Sequence, residues 1–168
     1  MNRIPETHDT KIQELLKLEP HLDHFKVLLE ALPVAIYTCD AEGVITYYND
    51  AAAKLWGREP EIGKDLWCGS WKILDAEGNV LPLNSCPMAV ALKERKVVEG
   101  AEIIVERPDG ARLYIEPHPK PLFDASGEMI GAINMLLDIT DRKHAQELIN
   151  INEDKYKSLS EMLERKVE

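Results

Sequence analysis

The spacing of apolar residues changes period several times along the chain, and each change marks an element. Ile12, Leu15 and Leu16 begin a helical pattern. Beyond Pro20, which the first turn of a helix tolerates, Leu22, Phe25, Leu28, Leu29 and Leu32 recur three and four apart. These form one apolar stripe, which Pro33 ends. Either the body of the domain or a second copy of the chain can cover that stripe. Two β-rich runs follow, 34–40 and 44–49, around a short turn at Ala41-Glu42-Gly43, which predicts a hairpin. Asn49 or Asp50 can cap a short helix over 51–56 that Gly57 closes.

Residues 58–83 are irregular, with turns at Pro60, Gly63 and Gly69 and with Trp67, Cys68 and Trp71 crowded together. A second small hairpin fits 71–74 and 80–83 around Asp75–Asn79. Asn84-Ser85 can then cap a helix to about Lys96, with Pro87 in its first turn and Met88 and Leu92 on its inner side. Three strands close the body. Ala101–Arg107 and Ala111–Ile115 are joined by Pro108-Asp109-Gly110, a tight turn. Pro117 and Pro119 cannot donate ladder hydrogen bonds, so their end of the strand belongs at an edge or bulge. The run 129–137 is apolar on both faces except at Asn134, as expected of a strand covered on both sides. A helix inside and the N-terminal helix outside are the expected covers.

No Pro or Gly occurs from Asp138 onward, and Asp138 or Thr140 can cap the long final helix. Ala145, Ile149, Asn152, Tyr156, Leu159, Leu163 and Lys166 alternate four and three apart. This spacing fits a coiled-coil seam of about three heptads, in which a buried Asn152 sets register and Lys166 weakens the end; the alternative is a solvated helix that frays. The pattern predicts an α+β fold: a five-stranded antiparallel sheet, short helices on one face, and flanking N- and C-terminal helices. Residues 1–32 form a helical cap, 33–140 the domain and 141–168 the outgoing helix.

Composition narrows the function classes. The 168 residues are 45% hydrophobic and 30% charged, enough for one core with helical flanks. A net charge of -10 argues against a nucleic-acid partner or an anionic membrane surface. There is no apolar run of membrane-spanning length and no apolar signal core after Met1. Cys39, Cys68 and Cys86 are too widely spaced for a disulfide framework. A reducing cytoplasm is the expected compartment.

Several motifs resemble the PAS family of sensory domains. The segment DAEGVITYYNDAAAKLWG is similar to the family at Asp40, Gly43, Ile45, Asn49, Ala52 and Gly57. The Pro-Asp-Gly hairpin fits as well. Asp138-Ile139-Thr140-Asp141-Arg142-Lys143 resembles the C-terminal boundary of such domains. The stretch after Asp75, followed by Cys86-Pro87-Met88-Ala89, is similar to a subgroup with a D-G-x-x-L-P…P-M-A insert, with Glu77 where Asp is more usual. The resemblance covers roughly residues 22–145.

The resemblance implies sensing rather than catalysis. Haem-binding members commonly supply a His from the helix that here spans 86–96 and has none; His118 lies on a strand, facing outward by alternation. Flavin-binding members carry Asn-Cys-Arg-Phe, which Asn84-Ser85-Cys86-Pro87 does not match. No Cys-x-x-Cys or His-x-x-x-His supports a metal site. His144 lacks the acidic neighbour and downstream Pro of a kinase phosphoacceptor, and no Gly-rich phosphate loop is present.

The resemblance further implies an internal cavity for a small organic ligand in preference to haem or flavin, if any ligand is bound. Strand alternation and the family pattern assign its wall to Tyr37, Cys39, Ile103, Val105, Leu113, Ile115, Asn134 and Leu136. Met88 and Leu92 close it, and Trp71 offers an indole. Asp138, Ile139 and Thr140 are the expected relay. Ile149, Asn152, Tyr156, Leu159 and Leu163 are the seam of a parallel homodimer that feeds a C-terminal effector such as a histidine kinase.

Overall fold

The computed structural model describes residues 24–164. The expectations at Ile12, Leu15, Leu16, Leu22 and Lys166 lie outside the described residues. In chain order the elements are α1 (24–31), β1 (Ala35–Cys39), β2 (Ile45–Tyr48), α2 (Asp50–Trp56), β3 (Lys72–Leu74) and β4 (Val80–Leu81). Then come α3 (Pro87–Glu94), β5 (Ile103–Glu106), β6 (Arg112–Phe123), β7 (Met129–Asp138) and α4 (Thr140–Glu164).

The sheet is antiparallel with seven strands, in the order β2-β1-β7-β6-β5-β3-β4. The expected five are its first five positions. The small hairpin β3–β4 extends the sheet because Lys72–Leu74 pairs with Ile104–Glu106. β5 pairs with β6 only as far as Ile115, while β7 follows β6 to Phe123. Beyond Ile115 one side of β6 therefore has no strand partner. The Pro119 carbonyl faces that side and accepts from Val98 N at 3.4 Å. Pro117 and Pro119 thus sit where no ladder donor is needed.

One face of the sheet carries the core. Tyr37, Cys39, Ile45, Trp56, Ile73, Met88, Leu92, Val105, Ile115 and Leu136 pack together there with α2 and α3. α3 starts one step later than the sequence pattern suggests. Cys86 is its N-cap, with Sγ accepting from Ala89 N, and Pro87 is its first residue. Arg95, at φ 53°, ends the helix in the left-handed region. Gly131 lies tight against the end of β1; a Cβ there would stand 2.2 Å from the Cys39 carbonyl oxygen.

The opposite face is less covered than β7 suggests. Ile130 and Met135 on that face are exposed, and so are Phe25, Val27, Leu28 and Leu32 on and just after α1. α1 is held by polar contacts rather than by its stripe. Glu30 accepts from the Tyr47 hydroxyl at 2.9 Å and from Asp50 N at 3.0 Å. Among the described residues the expected cover of β7 by the N-terminal helix is not made, because α1 turns its apolar residues outward.

Asn49 ties the N-terminal half together. It is fully buried, and its Oδ1 accepts from Ile36 N and Ala52 N, both at 3.0 Å. Its Nδ2 donates to Leu29 O at 3.0 Å and Val34 O at 2.9 Å. One side chain thus caps α2 and binds both α1 and β1. Asn49→Ala leaves these buried backbone groups without partners and should lower unfolding stability by about 3 kcal/mol. Asn49→Asp, which turns a carboxylate oxygen toward two carbonyls, should cost at least as much. Urea denaturation of the three proteins measures both effects.

Candidate functional site

The expected cavity residues gather on the core face of the sheet, with one exception. Tyr37, Cys39, Met88, Leu92, Ile103, Val105, Ile115, Asn134 and Leu136 are buried together, and Leu113 packs against them. Trp71 is the correction. It is 63% exposed, because it precedes the first paired residue of β3, Lys72, and nothing covers it beyond the sheet. Trp67, four residues earlier, turns inward in its place.

Trp67 is held in the left-handed region at φ 66°. Its N–H donates to Gly43 O at 2.7 Å. Its ring lies so close over Gly43 that a Cβ there would stand 2.2 Å away, which is why that turn needs glycine. Lys93 Nζ sits 5.3 Å from the ring centroid on a cation–π contact. This conformation aims the Trp67 carbonyl into the core, where it accepts from the Tyr37 hydroxyl at 3.0 Å. Asn134 Nδ2 donates to the same Tyr37 oxygen at 3.2 Å, and Asn134 Oδ1 accepts from His118 N at 2.9 Å. A hydrogen-bonded line thus crosses the core from the irregular segment through β1 and β7 to β6.

The three cysteines converge on this line, which their spacing in sequence did not indicate. All are free and buried. Cys68 Sγ lies 3.1 Å from Ser70 Oγ, and Cys86 Sγ lies 3.9 Å from Trp67 O. Burial, and then the nearby Cys68, push the Cys86 thiol up to about 12. Burial and the other thiols push Cys39 up, and burial pushes Cys68 up. Burial holds the Tyr37 hydroxyl well above its ordinary range. Such thiols stay protonated near neutrality, so they act here as small apolar groups.

Trp56 packs among the same core residues. Its ring is fully buried, edge-on to Tyr37 at 5.2 Å and to Tyr48 at 5.9 Å between centroids. Its Nε1 is buried and has no hydrogen-bond partner among the described residues. Sequence reasoning left Trp56 as a helix residue; its place on the inner face of α2, one position before Gly57, was the available signal. An open groove of about 460 Å³ runs along α2, between Ala51, Lys54, Leu55 and Arg107 and the ends of β1 and β7, and reaches Asp138. His118 stands on the opposite face of the sheet, its Nε2 3.2 Å from Glu116 Oε1. Among the described residues no group of three metal-ligating side chains is assembled, and no helix is long and apolar enough to cross a membrane.

The expected relay residues sit at the root of α4. Asp138 Oδ1 accepts from Thr140 N at 2.9 Å, so Asp138 satisfies the first helix N–H. The Thr140 hydroxyl instead turns back to the sheet and accepts from Tyr114 N at 3.0 Å. Ile139 is buried, and its N–H donates to Tyr114 O at 2.8 Å. The two residues thereby continue the β6 ladder into the helix.

An antiparallel sheet with one helical face, a polar line through its core and a helix leaving its last strand defines a single-sheet α+β module. The PAS fold family model matches residues 29–144, and the chain belongs to that family, the sensory domains of signalling proteins. No curated protein matches the chain. Among solved structures it is similar to the sensory box histidine kinase/response regulator from Burkholderia thailandensis E264. The identity is 18% over 80% of this chain and 98% of that one, with TM-score 0.53. The PAS domain of Bordetella pertussis BvgS is 24% identical over 80% of this chain and 96% of that one, with TM-score 0.52. An RNA-binding light-oxygen-voltage receptor is 22% identical over 82% of this chain, with TM-score 0.56, and this chain spans 38% of that receptor's length. At these identities the likeness is one of fold.

The core line should behave as a coupled unit. Tyr37→Phe strands the Asn134 amide and should cost about 1–3 kcal/mol. In a double-mutant cycle, Tyr37→Phe with Asn134→Leu should cost clearly less than the sum of the singles, read by urea denaturation. The raised thiols give a second test. At pH 8 the native protein should resist a thiol-specific disulfide reagent, whereas all three cysteines react once it is unfolded. Neutral buried thiols add stability below their unfolded pKa, near 9, and that contribution should fall away as pH rises toward about 12.

Proposed function

We propose that this PAS domain is a relay sensor. It works as a parallel homodimer, and the state of its core passes through Asp138-Ile139-Thr140 into α4 and on to an effector such as a histidine kinase. One observation carries this reading. α4 runs 25 residues, and after Lys143 every residue to Leu163 is exposed. Among them are Ile149, Tyr156, Leu159 and Leu163 of the expected seam, with Asn152 between them, and also Leu148, Ile151 and Met162. At 100° per residue these cover an arc of about 160°, wider than the seam alone. The exposed stripe of α1 adds a second exposed apolar surface.

The signal on this reading is a small, mostly neutral organic molecule rather than haem or flavin. The free indole N–H of Trp56 and the Tyr37–Asn134 pair supply polar points in an otherwise apolar wall. A second reading, a dimerisation module that binds no ligand, is favoured by one fact: both polar atoms of Asn134 already have partners within the chain. Native mass spectrometry separates the two, because a co-purified ligand adds mass to the dimer and Asn134→Leu should release it.

Light scattering should return twice the chain mass. Leu159→Cys, on the seam, should form an interchain disulfide on mild oxidation, and Lys157→Cys, on the opposite side of the helix, should not. A monomer at high concentration, or equal cross-linking at the two positions, would count against the parallel dimer.

A further inference from the structure

The root of α4 is gripped by carboxylates that no boundary motif includes. Glu102 enters from just before β5 and Glu116 from β6, and both face the first turn of α4. Arg142 reaches Glu116 Oε2 at 3.0 Å and Glu102 Oε1 at 3.6 Å, and Lys143 pairs with Glu102. Tyr114 meets His144 edge-on, with ring centroids 6.2 Å apart. The Glu116 carboxylate is largely shielded, with 22% of its side chain exposed, and Glu102 and Lys143 are each at 33%. Screening by solvent is therefore partial. Past His144 the helix has no further contact of this kind with the sheet among the described residues.

We propose that Glu102 and Glu116 form a carboxylate clamp that sets how long the root of α4 stays docked on β5–β6. This inference rests on the relay reading only for its consequence; the clamp itself can be tested without any output. The logic is electrostatic. Arg142 and Lys143 are consecutive, so one turn of helix presents two cations to two anions drawn from neighbouring strands. If α4 lifts, Glu102 and Glu116 are left near one another on a chain already at net charge -10, and the release is opposed. The Ile139 and Thr140 backbone bonds hold the hinge itself, while the clamp holds the turn beyond it. A change in β6, which carries Tyr114, Glu116 and His118, moves one jaw of the clamp directly.

The test is amide hydrogen exchange of the whole chain, followed by mass spectrometry over peptides covering 139–150. Glu102→Gln with Glu116→Gln should speed exchange there about fivefold or more, a change of the size typical of allosteric coupling. Exchange in the β1 and β7 peptides should be unchanged. Raising salt from about 0.05 to 0.5 M should speed exchange in the parent chain and leave the double variant unmoved. Reversing all four charges, with Glu102→Lys, Glu116→Lys, Arg142→Glu and Lys143→Glu, should restore slow exchange. Unchanged exchange in the double Gln variant, or a four-way reversal that folds but stays fast, overturns the clamp. Failure of the relay reading looks different: effector output indifferent to Asp138→Ala with Thr140→Ala, while exchange still responds to the clamp residues.

Discussion

A buried carboxamide decides how the N-terminal half of this domain is put together. Asn49 has no contact with water, yet every bond that it makes is to backbone, and those backbone groups belong to three different elements. A hydroxyl or a carboxylate could serve as helix cap, but neither offers an acceptor toward Ile36 and Ala52 together with donors toward Leu29 and Val34. The position of α1 is therefore fixed by the geometry of one amide and by Glu30, and not by burial of its apolar stripe. That leaves the stripe free to face something else. A domain that anchors its first helix by polar bonds keeps its apolar surface available for assembly.

The C-terminal half solves a related problem in a different way. β7 lies inside the sheet, paired with β1 on one side and β6 on the other. Its one polar residue, Asn134, faces the core and joins both neighbours, through the Tyr37 hydroxyl and His118 N. A buried Asn costs stability unless it is satisfied, and here it is satisfied only when β1, β6 and β7 keep their mutual register. The same line reaches Trp67, whose left-handed backbone is held by contacts with Gly43 and Lys93. Anything that repositions Trp67 therefore bears on the central strands. From β6 the next contacts along the chain of groups are Tyr114 and Glu116 at the root of α4.

Much of this was legible in the sequence where the determinants are local. Gly43 and the Pro-Asp-Gly turn gave the hairpins, and the alternation of Tyr37 with Cys39 and of Ile103 with Val105 gave the core face. Asp138 marked the start of the last helix because a strand ending next to a capping residue has few other readings. What was missed depends on non-local facts. Trp71 has the right parity to face inward with Ile73, but parity means nothing outside the paired part of a strand. Trp67 enters the core only through a backbone conformation that glycine usually supplies. The cysteines meet because three separate segments converge, which no spacing rule reports. The seventh and sixth strands appear because β5 has an open edge for the small hairpin, a property of the assembled sheet.

The exposed length of α4 sets the final constraint. An isolated helix gains little from its own hydrogen bonds, since nucleation is costly and propagation nearly neutral, so long helices in proteins are held by packing. Here packing ends at His144, while apolar side chains continue to Leu163. Local devices add little: the Gln146–Asn150 bond is one exposed contact of small worth. Among the described residues the domain gives the helix no further support past His144, and on the proposed dimer the arc from Ile151 to Ile149 is the surface by which it would gain it. The same argument sets the sensitivity of the device. The root of the helix is held by a few polar contacts of modest strength, and on the proposed dimer the remainder would be held by the second copy, so a small change at the root would compete against a small energy. A fully packed helix would hold its position more firmly and transmit less.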